Sequence, residues 1–491
     1  MKDNIIPNWI TYGILLIATF IFIFFFSTTT SPLYEHYPFW YWGDSGIFQE
    51  MGICLLSGGT PYIDLFDHKG PILWFIQAWG IGISHRFGLM LLQTISLFFT
   101  LLTWFKTALI LCGKQFTSLI TAILTLIFLL AFYEHGNLCE EWSLPFISIS
   151  IYLYLKRWKA EPHSKQPIFK HTDAFIMGLC VGIIAMIRLN NTAPLIGFAL
   201  WHFIRCIQQK EYKRMWNDIA LIIAGMAIIF VLCSLYYLIK AGWTGVYEMI
   251  YGTFIYNIKY FNLHNHHSSS FLFKYIIPIG FMVFTVICTF RTKTYKNILL
   301  PLIISYILTF ISLGKLDYGH YIMIFIPLFV ISSCLINNFG ERWIYILPLF
   351  FIILSIKTGY NAIDYLLFRL KGRTSYNIEL KDGFHRFVTS IDPNERKSIY
   401  NSELYHMGSS LFADENIYQC NRFIYQDHID LSPKFQEYAE THGIKELQPI
   451  WILTQSPRPE ISDDYFATHY TIADSIPGGE YAPIWCWRKI R

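Results

Sequence analysis

Eleven apolar blocks, near residues 9–26, 88–111, 117–132, 142–156, 173–188, 192–207, 217–239, 273–290, 297–313, 320–337 and 342–356, limit what this chain can fold into. Several approach the roughly 20 residues that a helix needs to cross about 30 Å of hydrocarbon, and the shorter ones can tilt less or thin the bilayer. The 491 residues are 54% hydrophobic, 18% aromatic and only 15% charged. A soluble domain rarely runs so apolar, and here the apolar residues come in runs rather than alternating. The pattern implies an α-helical polytopic membrane protein. The first block is too long for a signal h-region, and FSTTTSPLYEH offers no small-x-small cleavage site, so it reads as a retained span. The net charge of +4 says little by itself and implies no nucleic-acid partner. Ten cysteines are scattered without a CxxC or Cys/His spacing, which leaves no zinc motif.

The segment ILWFIQAWGIGI, residues 72–83, is apolar but short, and its length fits a juxtamembrane helix better than a crossing. Charge parity supports this. With the N-terminus cytoplasmic and 72–83 not crossing, the loops KRWKAEPHSKQPIFKH (156–171), RCIQQKEYKR (205–214) and RTKTYK (291–296) all lie inside. Short cytoplasmic loops then hold roughly fifteen Lys and Arg against about half a dozen outside, as the positive-inside rule expects. The expectation is therefore about eleven spans plus juxtamembrane helices. Residues 27–87, 134–141, 240–272, 314–321 and everything after about 357 are extracytoplasmic on this reading.

The tail changes composition. Residues 1–356 read as the transmembrane module, and 357–491 as a small extracytoplasmic α/β domain. Within it the β-like runs SIYNS, PIWILTQ and APIWCWRK alternate with the helical stretches SELYHMGSSLF and SPKFQEYAETHG. Cys420 and Cys486 are its only cysteines, and pairing or two buried thiols are both open.

Charge gathers at the edges of the apolar blocks. Asp44 lies at the start of SGIFQEMGICLL, whose apolar spacing is helical, so it caps or nearly caps a short surface helix and also sets a carboxylate where a lipid-borne substrate arrives. In DHKGP, His68 and Lys69 can meet a phosphate, and Pro71 suits a first helical position. Lys69 reads as an exposed loop residue that adds little to stability. Glu134, Glu140 and Glu141 in EHGNLCEEW offer second carboxylates, for an acceptor or a divalent ion, or are solvated helix ends. Arg188 at a span end either snorkels or pairs with an anion. FNLHNHHSSS reads as a solvated loop or lid, since His264, His266 and His267 lack further ligands in the motif. GKLDYGHYIMIFIP sets Lys315, Asp317, His320 and Tyr321 at the mouth of a late span.

Three of these stretches, in order and on one side, resemble the GT-C superfamily of membrane glycosyltransferases, in its protein O-mannosyltransferase, aminoarabinose transferase and Rgt-like (family 39-like) branches. They are YWGDSG, the run GGTPYIDLFDHKGP, similar to a GxxPYxDxxxHKPP-type pattern, and GKLDYGHYIMIFIP, similar to a late "HY…P" segment. The likeness covers roughly residues 9–340. Asp44-Ser45 stands where many relatives have Asp-Glu, Gly70 shifts the second proline of KPP, and the second-loop acidic motif is not Asp-x-Asp.

The resemblance implies a polyprenyl-phosphate-linked sugar donor, inversion at the anomeric carbon, and a lipid, glycan or protein acceptor on the extracytoplasmic face of the inner membrane. It implies Asp44 as the acid/base, with Glu140 and Glu141 as further catalytic candidates. His68, Lys69, Arg188, Lys315 and His320 then face the donor phosphate, and Asp67 and Tyr321 position substrate. No cofactor is required by this reading, and a divalent cation is left open. The rival is a lipid or glycolipid transporter or flippase, which should bury its ionisable groups near the bilayer midplane in repeated halves. Here the charges gather at the rim, and no repeat is visible.

Overall fold

A computed structural model describes residues 7–31, 43–134, 136–160, 171–263, 271–290, 296–313, 319–337, 378–424, 426–457, 464–478 and 482–490. Ten of the eleven apolar blocks fall in helices: α1 (Asn8–Phe26), α3 (Pro71–Cys112), α4 (Gln115–Leu129), α5 (Cys139–Ala160), α6 (His171–Ala185), α7 (Ala193–Gln208), α8 (Tyr212–Ile250), α10 (Phe271–Phe290), α11 (Lys296–Leu313) and α12 (Ile326–Asn337). The eleventh, 342–356, lies outside the described residues. Two further helices, α2 (Asp44–Leu56) and α9 (Asn257–Leu263), belong to the loops.

Four described stretches are long and apolar enough to cross a membrane: Asn8–Phe26, Pro71–Cys112, Tyr212–Tyr260 and Gly319–Ile336. Along α8, Ile223, Ile228, Val231, Leu232, Leu235 and Ile239 are all exposed, an apolar face that only lipid or another apolar surface can cover. Polar side chains inside the helices fold back on their own backbone, as Thr19 does to the Leu15 carbonyl at 2.7 Å and Thr309 to that of Ser305 at 2.6 Å. The chain is an integral membrane protein.

The helix α3 is two helices. Ser84 (φ −171°, ψ 99°) and His85 (φ 8°, ψ −114°) leave helical geometry. The chain doubles back there: a Cβ on Gly88 would stand 1.9 Å from the Gly80 carbonyl oxygen. His85 Nε2 bonds the Ala413 carbonyl at 3.1 Å, and Arg86 pairs with Asp414, which holds the bend. The short segment 72–83 is thus a separate helix that starts at Pro71, as its length suggested.

The chain divides into two compact units. The first comprises Met1–Ser27, Leu92–Cys233 and His264–Ile363, and it is helical. Within it α7 lies along α11, α5 packs on α6, and α12 packs on α10 and α4. At Gly197 a Cβ would sit 2.4 Å from the Ser305 amide, so a side chain there would force α7 off α11.

The second unit comprises Thr28–Leu91, Ser234–Leu263 and Asp364–Arg491. The tail, read from composition as beginning at 357, therefore shares its unit with the first outer loop and with 234–263. Its sheet runs in the order β1-β2-β4-β3, from β1 (Ile399–Asn401), β2 (Trp451–Thr454), β3 (Tyr470–Ile476) and β4 (Ile484–Lys489). The first pair is parallel and the others are antiparallel, with a register shift between Ile472 and Asp474. Helix Ile378–Ser390 covers β3, and Phe384, Phe387, Leu411, Leu453 and Ile484 fill the core. Cys420 and Cys486 are both free thiols.

Two joints tie the tail to the first outer loop. Helix Tyr405–Asp414 packs on α2, where Gly46 faces Ser410. The Phe66 amide donates to the Arg422 carbonyl at 2.7 Å, a one-residue bridge beside Phe423.

Helix α2 also meets the helix after Pro71 at a glycine. A Cβ on Gly52 would stand 2.6 Å from Gln77 Cβ and 2.8 Å from the Ala78 nitrogen, and backbone cannot swing aside. Gly52→Ala is therefore expected to cost about 1–3 kcal/mol through overpacking. Gly13→Ala, in α1 with nothing near its new methyl, should be neutral or slightly stabilising. Thermal melting of the detergent-purified variants checks the contrast.

Candidate active site

The candidates fall into two clusters, one in each unit. In the second unit, α2 begins at Asp44, with Gly43 in the extended N-cap position and no side-chain cap. Asp44 therefore occupies the first helical position rather than the cap itself, where its charge suits the positive end of the helix. Its Oδ2 lies 3.8 Å from Lys69 Nζ. The Asp44 side chain keeps 28% of its surface exposed, against 8% for Lys69.

Lys69 is not the exposed loop residue that the sequence suggested. Its Nζ is also 3.6 Å from Asp67 Oδ1 and sits 5.5 Å above the Phe48 ring. A lysine that is enclosed this far, beside a fully buried carboxylate, contributes to folding as well as to any ligand. Removing it would strand the Asp67 charge.

Asp67 is 0% exposed, and neither carboxylate oxygen has a hydrogen-bond partner. Its neighbours are cationic or basic: His68 Nδ1 at 3.2 Å, Lys69 at 3.6 Å and His428 Nε2 at 3.8 Å. Burial pushes the Asp67 pKa up, but Lys69 foremost and then His68 and His428 outweigh it and hold the carboxyl well below the usual range. Asp67 stays charged.

The backbone under these side chains is pinned. Tyr62 Oη donates to the Lys69 carbonyl at 2.6 Å and meets Thr253 Oγ1 at 3.2 Å, while Asn257 Nδ2 donates to the His68 carbonyl. Thr253 belongs to the π-helical turn Tyr251–Tyr256, a local widening that aims Thr253 and Tyr256 inward. Tyr260 stacks on the His68 ring with centroids 4.4 Å apart. Phe66 sits edge-on to Tyr256, Phe423, His428 and Phe435. Arg422 lies over Phe435 and Tyr438 and pairs with Glu248 at 2.8 Å.

In the first unit, Arg188 donates to Glu140 Oε1 at 2.8 Å and to Tyr321 Oη at 2.7 Å. This is a paired, enclosed guanidinium rather than a snorkelling one. Glu141 accepts from Tyr133 Oη at 2.7 Å, from Gln93 Nε2 at 3.0 and 3.1 Å, and from the Asn137 amide at 2.7 Å. His320 Nδ1 meets Glu134 Oε2 at 2.8 Å, and its amide donates to Oε1. Lys315 and Asp317, like His264, His266 and His267, lie outside the described residues.

His428, Asn257, Tyr260 and Glu50 were missed by sequence reasoning. His428 sits 360 residues from its partner His68, in QDHID, which has no short-range signal. Asn257 and Tyr260 follow a span in an ordinary helical stretch.

Helix α2 is not the surface helix that the sequence suggested, because Ser45–Cys54 are buried, and the fold as a whole is similar to that of solved membrane glycosyltransferases. Among solved structures, ArnT from Cupriavidus metallidurans bound to undecaprenyl phosphate superposes with a TM-score of 0.59 at 12% identity, over 98% of this chain and 98% of that one. The apo form of the Archaeoglobus fulgidus oligosaccharyltransferase superposes with a TM-score of 0.50 at 11% identity, over 91% of this chain and 70% of that one. No protein-family model and no curated protein matches the chain.

Glu50, fully buried on α2, accepts the Gln419 amide at 3.0 Å. Burial pushes its pKa up to about 7, with Ser409 and the Gln419 amide pulling back. A raised pKa favours the protonated carboxyl in the fold. This contribution is complete below the unfolded value and is lost as pH rises through about 7. Relative to Glu50→Gln, the wild-type melting temperature should fall between about pH 5 and about pH 8. A constant difference across that range would show that Glu50 does not titrate there.

Proposed function

We propose that the protein is a membrane glycosyltransferase that moves one sugar from a polyprenyl-phosphate donor to an acceptor on the extracytoplasmic face. The observation that carries this reading is the pairing of Asp44 with Lys69: a partly open carboxylate 3.8 Å from an enclosed ammonium. Transfer from a lipid phosphate needs a base for the acceptor hydroxyl and positive charge for the departing phosphate. In one displacement, the acceptor oxygen attacks the anomeric carbon as its proton passes to Asp44. The bond from that carbon to the phosphate oxygen breaks, and the polyprenyl phosphate leaves toward Lys69, with His68 alongside. Asp67 keeps the Lys69 ammonium and the His68 ring in place and is a positioning residue. The likeness in fold to ArnT, solved with undecaprenyl phosphate, agrees with a lipid-phosphate donor.

The orientation is part of the same proposal. Asn416, exposed in the tail, should become labelled by an impermeant maleimide in intact cells when it is replaced by cysteine, whereas a cysteine at Lys165 should not. The opposite pattern would invert the topology and put the proposed site in the cytoplasm.

Asp44→Asn tests the chemistry. Asn keeps the size and loses the base, so turnover should drop by roughly 10²–10⁴ with insertion and melting little changed. Transfer at the wild-type rate by a folded Asp44→Asn protein would remove Asp44 from the role of base.

A further inference from the structure

We propose that Lys259 and Lys434, with Tyr247 and Tyr251, bind the phosphate head of an anionic phospholipid from the surrounding bilayer. All four belong to the second unit. The depth of the site follows from α8, which bends where Ala241 (φ −141°, ψ 18°) and Gly242 (φ 64°, ψ −156°) leave helical geometry. Before the bend Leu235 and Ile239 are exposed, and just after it Trp243 and Tyr247 are. Exposed aliphatic side chains that give way to exposed Trp and Tyr mark the border between hydrocarbon and headgroups. Ile255 and Ile258 continue the open apolar side, so the segment after the bend lies along that border.

Positive charge gathers at that level. Lys434 Nζ stands 4.6 Å from the centre of the Tyr247 ring and 4.7 Å from that of Tyr251. Lys259 Nζ stands 5.6 Å from the same Tyr251 centre and 3.4 Å from its Oη, which also meets Ser432 Oγ at 2.6 Å. Two ammonium groups therefore share one phenol. The nearby acid is Glu248, and it is divided: it pairs with Lys434 and takes Arg422 at 2.8 Å. Among the described residues no carboxylate pairs with Lys259, so three cations gather around one anion. An aromatic face attracts an ammonium but neutralises none of its charge. A phosphate oxygen does, accepting N–H bonds from both lysines while the acyl chains follow Ile239, Trp243 and Ile258. A zwitterionic headgroup brings an ammonium of its own, so the surplus favours a lipid of net negative charge.

The inference goes beyond the transferase reading and does not rest on it, because lipid binding is measured without turnover and the donor phosphate is placed at Lys69. The full chain, purified in detergent, is mixed with phosphatidylglycerol or with phosphatidylcholine of the same acyl chains, and adducts are measured by native mass spectrometry. The expected result is a phosphatidylglycerol adduct that saturates at a concentration where phosphatidylcholine adds none. The double variant Lys259→Gln/Lys434→Gln should hold phosphatidylglycerol about 30-fold more weakly, the loss expected for two lysines at a headgroup. Equal adducts with the two lipids in the wild type, or an undiminished adduct in the double variant, overturn the proposal. Displacement of phosphatidylglycerol by an equimolar amount of undecaprenyl phosphate also overturns it, because the two lysines then belong to the donor. Should the double variant fail to fold, Lys259→Gln alone decides, since it gives up only the contacts with Tyr251. A weakening of about fivefold is expected from it, and none overturns the site.

Discussion

A carboxylate sealed from water is the constraint on which the second unit depends. Asp67 has no exposed surface, and a buried charge is tolerated only beside compensating groups. The chain supplies them from three distant stretches: Lys69 and His68 next door, His428 from the tail, and the 251–260 segment, whose Asn257 and Tyr260 hold His68. Meeting that need draws the first outer loop and the tail into one compact unit. The Phe66–Arg422 backbone bond and the aromatic cluster around Phe66 close the same joint by apolar burial.

Charge in the two units is handled differently. Around Glu140 and Glu141 in the first unit the polar groups pair closely: Glu141 accepts from Tyr133, Gln93 and Asn137, and Arg188 is shared between Glu140 and Tyr321. Saturated groups of this kind hold helices together and resist exchange with a ligand. Around Asp67 the distances are longer, 3.2–3.8 Å, and Asp44 remains partly open. Loosely compensated charge at a defined place is what a phosphate or a cation can exploit, because a ligand then improves pairing that the protein leaves incomplete.

Glycine sets the closeness of the packing that holds this arrangement. Gly46 lets α2 meet the helix Tyr405–Asp414, and Gly52 lets its other side meet the helix after Pro71. Helix α2 is therefore fixed on two faces, and Asp44 at its first turn inherits that rigidity, which a group intended for proton transfer requires.

Much of the fold was legible because membrane helices follow from local hydropathy: length and apolarity alone located ten described helices, the separate 72–83 segment and the helix start at Pro71. The strands SIYNS, PIWILTQ and APIWCWRK were visible for a similar reason, since alternation and β-branched or aromatic residues act over a few positions. The strand Tyr470–Ile476 was not, because an edge strand whose middle residues are solvent-exposed carries no buried alternation to read. Asp44, Asp67, His68 and Lys69 stood out as charges beside apolar blocks, but their burial did not. Whether a loop lysine is exposed depends on what packs over it, and here that is Phe48 and the Asp67 carboxylate. His428, Glu50 and the sharing of a unit by the tail and the first loop were decided by tertiary structure alone. Contacts across some 360 residues leave no periodicity in the chain that makes them.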